Sequence, residues 1–292
     1  MVDFIHALFN PDLPFIRYAL IAGILSSAAF GVIGTYVVVR RISSIAGAIS
    51  HSVLAGIGFG LYLQVKHGIA WFTPLLGAVV AALLSALIIG LVSMYARQRE
   101  DTVIGTIWAI GMAVGLMFLS RTPGYVEPMS YLFGNILIIS KQDLVLIALL
   151  DGVVIALGLL FYNQLQAVSF DEEFSNVRGL NAGMYYMLIL VLTAVTVVML
   201  VTIVGIVMVI ALLTLPAAVS GLFARRLWQM MLFSAAFCML FTILGVGLSY
   251  IYDLPTGSTI ILFAGAFYIV ALLGKHLLKR KQKAAQLAKL KK

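Results

Sequence analysis

A histidine stands at position 51, about seven residues into an apolar run, within the stretch Arg40 to Gly60 that reads RRISSIAGAISHSVLAGIGFG. An imidazole inside a membrane helix is costly to place there, and one that stays commonly has a task such as meeting an ion in transit. A histidine that hydrogen-bonds a neighbouring helix fits the same position, and the residue types around it leave both readings open. Asp151 is the only carboxylate well inside a predicted span. It is either a functional acid or a helix-packing hydrogen bond. Asp253 lies in the turn YIYDLPTG, shaped by Pro255 and Gly257. There it can draw cations, or serve only to cap the turn. The single cysteine, Cys238, sits in an apolar run, cannot form an internal disulfide, and reads as core packing.

The elements that must position these residues follow from composition. The chain of 292 residues is 63% hydrophobic and 10% charged, with a mean hydropathy of +1.11. Soluble domains carry roughly 25% charged residues, so this is an all-α, polytopic integral membrane protein. Its start, MVDFIHALFNPDLPF, lacks a basic leader, and no cleaved signal peptide is expected. Apolar runs cut at charge and turn clusters fall near 17–39, 44–65, 72–96, 102–120, 143–163, 183–202, 204–223, 228–250 and 258–276. The weakest cut is the one inside 183–223, marked only by Val201, Thr202 and Gly205. His51 falls in the second run among small residues. Gly56 and Gly60, four apart, share one helix face and let a second backbone approach closely.

Charge tests the count. With the N-terminus outside, the inside segments carry Arg40, Arg41, Arg97, Arg99, Arg178, Arg225 and Arg226, with Lys275, Lys279, Arg280, Lys281, Lys283, Lys289, Lys291 and Lys292 at the end. That places fifteen of the nineteen basic residues inside and leaves Arg17, Lys66, Arg121 and Lys141 outside. The positive-inside rule supports this orientation, and N-out with C-in requires an odd number of spans, nine rather than eight. Residues 1–280 form a single transmembrane domain, and 281–292 form a basic cytoplasmic tail that anchors topology at anionic lipid. The net charge of +8 does not imply nucleic acid, because no second basic patch or aromatic stacking motif accompanies the tail. Segment 121–142 is too apolar for an ordinary loop and too broken to span, so a short re-entrant helix is expected near Tyr131 to Ile139.

The loop after the fifth span reads AVSFDEEFSNVRGLNAG. Ser169 followed by Glu172 fits a capping box. Asp171, Glu172 and Glu173 fill a first turn where the helix dipole favours negative charge, Arg178 falls in the last turn, and Gly179 suits the position just beyond it. One short cytoplasmic helix over about 169–179 is predicted, with Phe170, Phe174 and Val177 on one apolar face. A helix this short must dock on something. Its acidic first turn favours a protein partner over anionic lipid. Pro216 interrupts the hydrogen-bond ladder of its helix, and a hinge is expected there.

Four stretches carry a family resemblance. AGAISHSVLAGIGFG resembles the second-helix signature D-A-x-S-H-A-x-x-x-G of the ABC-3 metal-ion permeases. FDEEFSNVRGLNAG is similar to that family's cytoplasmic loop, VGIVMVIALLTLPAAVSGLFARR to its V-G-x-L-L-x-x-A-L-L-x-x-P-A-A segment, and LSYIYDLPTGSTIIL to its last loop, in the same order along the whole chain. The resemblance implies the membrane half of a bacterial inner-membrane ATP-binding-cassette importer for zinc, manganese or iron. It implies two permeases, identical or sister chains, with a passage between them. Two ATPase subunits would sit on the short helix through Phe170, Glu172, Glu173, Phe174, Val177 and Gly179, and an extracytoplasmic metal-binding protein would deliver the ion. No permanently bound cofactor is implied. The chain itself has no G-x-x-x-x-G-K-[ST] loop, so ATP hydrolysis is expected on another subunit and the chain is not read as an enzyme. One position departs from the pattern. The acid that precedes the histidine by one turn in many members is Gly47 here, which limits the implied metal site to His51. Imidazole without carboxylate suits zinc better than manganese or iron(II). A secondary transporter driven by an ion gradient is the alternative, but it calls for more intramembrane acids than Asp151 and for inverted repeats, neither of which the sequence offers.

Overall fold

The computed structural model describes residues 8, 14–95, 100–124, 128–134 and 139–290. Among them there are twelve helices and no strand. In order these are α1 Pro14–Val39, α2 Ser43–His67, α3 Pro74–Tyr95, α4 Glu100–Arg121, α5 Pro128–Phe133, α6 Lys141–Leu160, α7 Tyr162–Phe170, α8 Glu172–Val177, α9 Ala182–Val204, α10 Ile206–Phe223, α11 Leu227–Tyr252 and α12 Thr256–Leu290. Nine of them, all but α5, α7 and α8, are long and apolar enough to cross a membrane. In hydrocarbon only such internally bonded segments satisfy their backbone polar groups. The loop bearing Arg97 and Arg99, and 135–138 of the expected re-entrant segment, lie outside the described residues.

Local chemistry explains the boundaries. Ser140 and Asp143 start α6 with a reciprocal capping box: the Asp143 amide donates to the serine hydroxyl (3.2 Å) and the Ser140 amide to the carboxylate (2.9 Å). The weakest predicted cut is made by Gly205, at φ 84° and ψ 156°, a conformation that excludes most side chains. Gly205 also faces α5, where a β-carbon would lie 2.6 Å from the Leu132 carbonyl oxygen. Helix α5 is therefore seated against the α9–α10 junction through Leu132 and Phe133. It begins and ends earlier than expected, at Pro128–Phe133 rather than Tyr131–Ile139, because Gly134 turns the chain at φ 81°. Burial pushes the Tyr131 phenol on α5 above its ordinary pKa.

The fifth span also differs from expectation. It ends at Leu160, not 163, and Phe161 leads directly into α7, which occupies the end of the expected span and part of the loop after it.

The most buried spans are α1, α2 and α9. Tyr36, Ile33, Ile49, Leu54 and Leu190 on them are fully buried, and the Tyr36 hydroxyl reaches the Gly158 carbonyl of α6 (3.3 Å). By contrast α4, α6 and α12 leave most of their surface uncovered. Without a hydrophobic drive between helices in lipid, small residues set which pairs pack. Gly56 of α2 meets the Gly77 carbonyl of α3, and Gly60 packs on Thr73 and Pro74. On the other side of α2, a β-carbon at Gly111 of α4 would lie 2.6 Å from Ser52 Cα, and one at Gly115 2.7 Å from the Leu54 carbonyl carbon. Helix α2 is thus clamped by backbone contact on both sides.

Candidate functional site

His51 is 7% exposed and points from α2 against α4. Its ring stacks on the Trp108 indole, with centroids 4.4 Å apart and planes 18° from parallel. Its buried Nδ1 has no hydrogen-bond partner among the described residues. A packing histidine would spend that nitrogen on a neighbouring helix, since an unpaired polar atom in hydrocarbon is unfavourable. Gly47, one turn earlier, faces the same indole, and a β-carbon there would lie 3.0 Å from Trp108 Cζ3. The space an acid would occupy in front of His51 is therefore filled by an aromatic ring from another helix.

Asp151 is 4% exposed, and neither carboxylate oxygen accepts a hydrogen bond from the described residues. The Ser26 hydroxyl of α1 lies beside it, but donates to the Ala22 carbonyl (2.9 Å). Helix α6 packs on α1 and α9 rather than on α2, so Asp151 is not brought to His51. No group of three histidine, cysteine or acidic side chains gathers among the described residues. Asp253 is exposed at the end of α11, where its own backbone takes the left-handed cap conformation (φ 51°). Pro216 is buried within an α10 that runs on through Phe223, and the Ser220 hydroxyl donates to the Pro216 carbonyl (2.7 Å).

The short helix departs from its expected start. Asp171, not Ser169, is the cap: its extended backbone (φ −151°, ψ 100°) breaks the chain, and its carboxylate accepts from the Phe174 amide (2.9 Å). The Ser169 hydroxyl instead bonds the Leu165 carbonyl (2.6 Å), because α7 runs on to Phe170. Phe170 therefore belongs to α7, and Phe170, Phe174 and Val177 do not share one helical face. All three are nonetheless exposed, at 66, 52 and 86%. Gly179 has the expected left-handed turn, at φ 82°.

Glu172, expected in a capping box, pairs instead with Arg40 at the end of α1 (2.6 Å). The same guanidinium donates to the Val168 carbonyl (2.5 Å) and lies over the Tyr186 ring of α9, 4.3 Å from its centroid. The Tyr186 hydroxyl reaches Ser93 of α3 (3.4 Å), and Ser93 bonds Glu100 at the start of α4 (2.5 Å). Sequence reasoning counted Arg40 only as a topology charge, and it passed over Trp108 altogether.

A family model described as the ABC 3 transport family matches residues 12–275. This chain belongs to the ABC 3 transport family. It is a multi-pass membrane protein, of the inner membrane in bacteria. Among its relatives, a probable metal transport system membrane protein of Chlamydia pneumoniae is 38% identical over 87% of this chain and 87% of that one. The manganese transport system membrane protein MntC of Listeria monocytogenes is 33% identical over 89% of this chain and 90% of its own length. The solved structure of PsaBC from Streptococcus pneumoniae in complex with Fab superposes with a TM-score of 0.80 at 29% identity, covering 92% of this chain and 94% of that one. The permease fold of this ABC 3 member is thus shared along nearly its whole length.

Proposed function

We propose that this chain is the permease subunit of an ABC importer that carries a divalent transition-metal ion into the cytoplasm, and that His51 meets the ion in transit. The observation that carries the reading is the buried, unpaired Nδ1 of His51 on a helix clamped by glycines. A neutral imidazole is a good ligand for such ions, and a single nitrogen holds them weakly enough to let them leave. Fifteen of nineteen basic residues favour N-out and C-in, which puts α8 at the cytoplasmic end. There the exposed Phe170, Phe174 and Val177 suit docking on an ATPase subunit, as helix-in-groove contacts do. A second permease, the same chain or a sister, would supply the facing wall, and an extracytoplasmic binding protein would deliver ions near Asp253. Pro216 is the candidate hinge in this scheme.

Relatives are named for manganese. Zinc is favoured by the donor chemistry, an imidazole with no carboxylate beside it, and iron(II) is the third candidate. The test is uptake by the permease reconstituted with its ATPase. His51→Ala is expected to abolish uptake of zinc, manganese and iron(II) with assembly unchanged. Normal uptake would mark His51 as a packing residue. Competition among the three ions in the unaltered protein decides the cargo.

A further inference from the structure

We propose that Trp108 is a side-chain shutter over His51: its indole covers the imidazole at rest and swings toward Gly105 when an ion arrives. The inference rests on the reading of His51 as the ligand in transit. The covering is direct. The two rings stack at 4.4 Å, Trp108 is half-buried, and His51 keeps only 7% of its surface. The ring extends over Gly47 as well, where a β-carbon would lie 3.0 Å from Cζ3 and would push the ring aside by a few tenths of an ångström.

The backbone around the stack is fixed while the ring is not. Gly111 and Gly115 hold α4 in backbone contact with α2, at 2.6 Å from Ser52 Cα and 2.7 Å from the Leu54 carbonyl carbon for a notional β-carbon. Sliding α4 away would break that whole seam. Rotating one side chain breaks one ring stack. Within this chain, no atom blocks the rotation at Gly105. Gly105 lies one turn earlier on α4, is exposed, and a β-carbon there would meet nothing within 4 Å. Helical side chains lean over the turn N-terminal to their own α-carbon, so this is the space the indole can enter. The ring is also no inert cover, since the face of an indole attracts cations. An approaching ion is drawn to the ring before it reaches the imidazole.

Fluorescence reads this directly. The chain has three tryptophans, and the other two are on the surface, Trp71 at 75% and Trp228 at 46% exposure. The full chain carrying W71F and W228F, in lipid nanodiscs, reports Trp108 alone. Zinc chloride or manganese chloride, added at concentrations that saturate uptake by the assembled transporter, is expected to give a saturable change in Trp108 emission. That change is expected to disappear in His51→Ala. Trp108→Phe, which keeps a ring, is expected to transport with unaltered preference between zinc and manganese, whereas Trp108→Ala loses the preference. If uptake needs His51 but neither ion alters Trp108 emission, the shutter is overturned and the ligand reading stands. Uptake that survives His51→Ala removes the ligand reading, and the shutter with it. Unaltered ion preference in Trp108→Ala, with normal assembly, overturns the shutter as well.

Discussion

A side chain at position 47 and the Trp108 indole compete for the same space. A carboxylate at position 47 would sit one turn from His51, within reach of the same ion. It would first have to displace a ring 3.0 Å from its β-carbon. Gly47→Asp with Trp108→Ala is therefore expected to shift uptake competition toward manganese, and to transport better than Gly47→Asp alone. If the pair leaves competition unchanged, cargo choice is set elsewhere. Asp151 calls for the opposite treatment. Its carboxyl is buried without a hydrogen bond from the described residues, an unfavourable state for a polar group. Asp151→Leu is expected to stabilise the detergent-solubilised protein by about 1–3 kcal/mol, read as a higher Tm, with uptake unchanged. Loss of uptake at a normal Tm would make Asp151 functional. His51 was legible in the sequence because an imidazole in an apolar run stands out by type alone. Trp108 was not, because an aromatic in TIWAIGMAVG looks the same whether it faces lipid or a neighbour, and its partner lies on a different helix.

Helix α8 is too short to hold itself and depends on what it is tied to. Inside the protein that tie is Arg40, which joins α8 and the end of α7 to α1 and, through Tyr186 and Ser93, to the first turn of α4. Helix α4 carries Trp108, so this chain of contacts links the proposed docking helix to the helix whose indole stacks on His51. Phe174→Ala is expected to leave the chain folded and inserted, while lowering ATPase co-purification and uptake together. Normal transport with normal assembly would rule out docking through Phe174. Arg40→Met is expected to keep ATPase binding but to raise the ATP hydrolysed per ion moved, measured in proteoliposomes. An unchanged ratio would show that the Arg40–Glu172 pair transmits nothing. The sequence announced a short helix here but misplaced its start by two residues. Ser169 and Glu172 have the right spacing for a box, yet YNQLQAVSF contains no helix breaker, so α7 continues through Ser169 and leaves Asp171 as the first residue free to cap. Spacing shows what a residue is able to bond. The partners it meets, here Leu165 and Arg40, depend on how the chain is folded around it.

Nine apolar spans among the described residues and a one-sided distribution of charge set the architecture. The spans were readable because each must satisfy its own backbone in hydrocarbon, which leaves a long apolar run for every crossing. The last one continues further than its apolar run: α12 extends as helix from Thr256 to Leu290, although only Thr256–Leu277 is suited to cross. Lys275 marks the transition, donating to the Leu222 carbonyl at the end of α10. Beyond it the sequence KRKQKAAQLAKLKK is basic and nearly free of large apolar residues, so it has no stripe with which to join the bundle. Its charge suits an anionic membrane surface. Deleting residues 281–292 removes Lys281, Lys283, Lys289, Lys291 and Lys292, leaving ten basic residues on the inferred inner side against four on the outer. The orientation bias survives that loss. The truncated chain is therefore expected to insert in the same orientation, at a lower level at most, with uptake per assembled transporter unchanged. Cysteine-accessibility labelling of the loops and normalised metal uptake measure the two halves of the prediction. Correct insertion combined with lost uptake would give the tail a regulatory role.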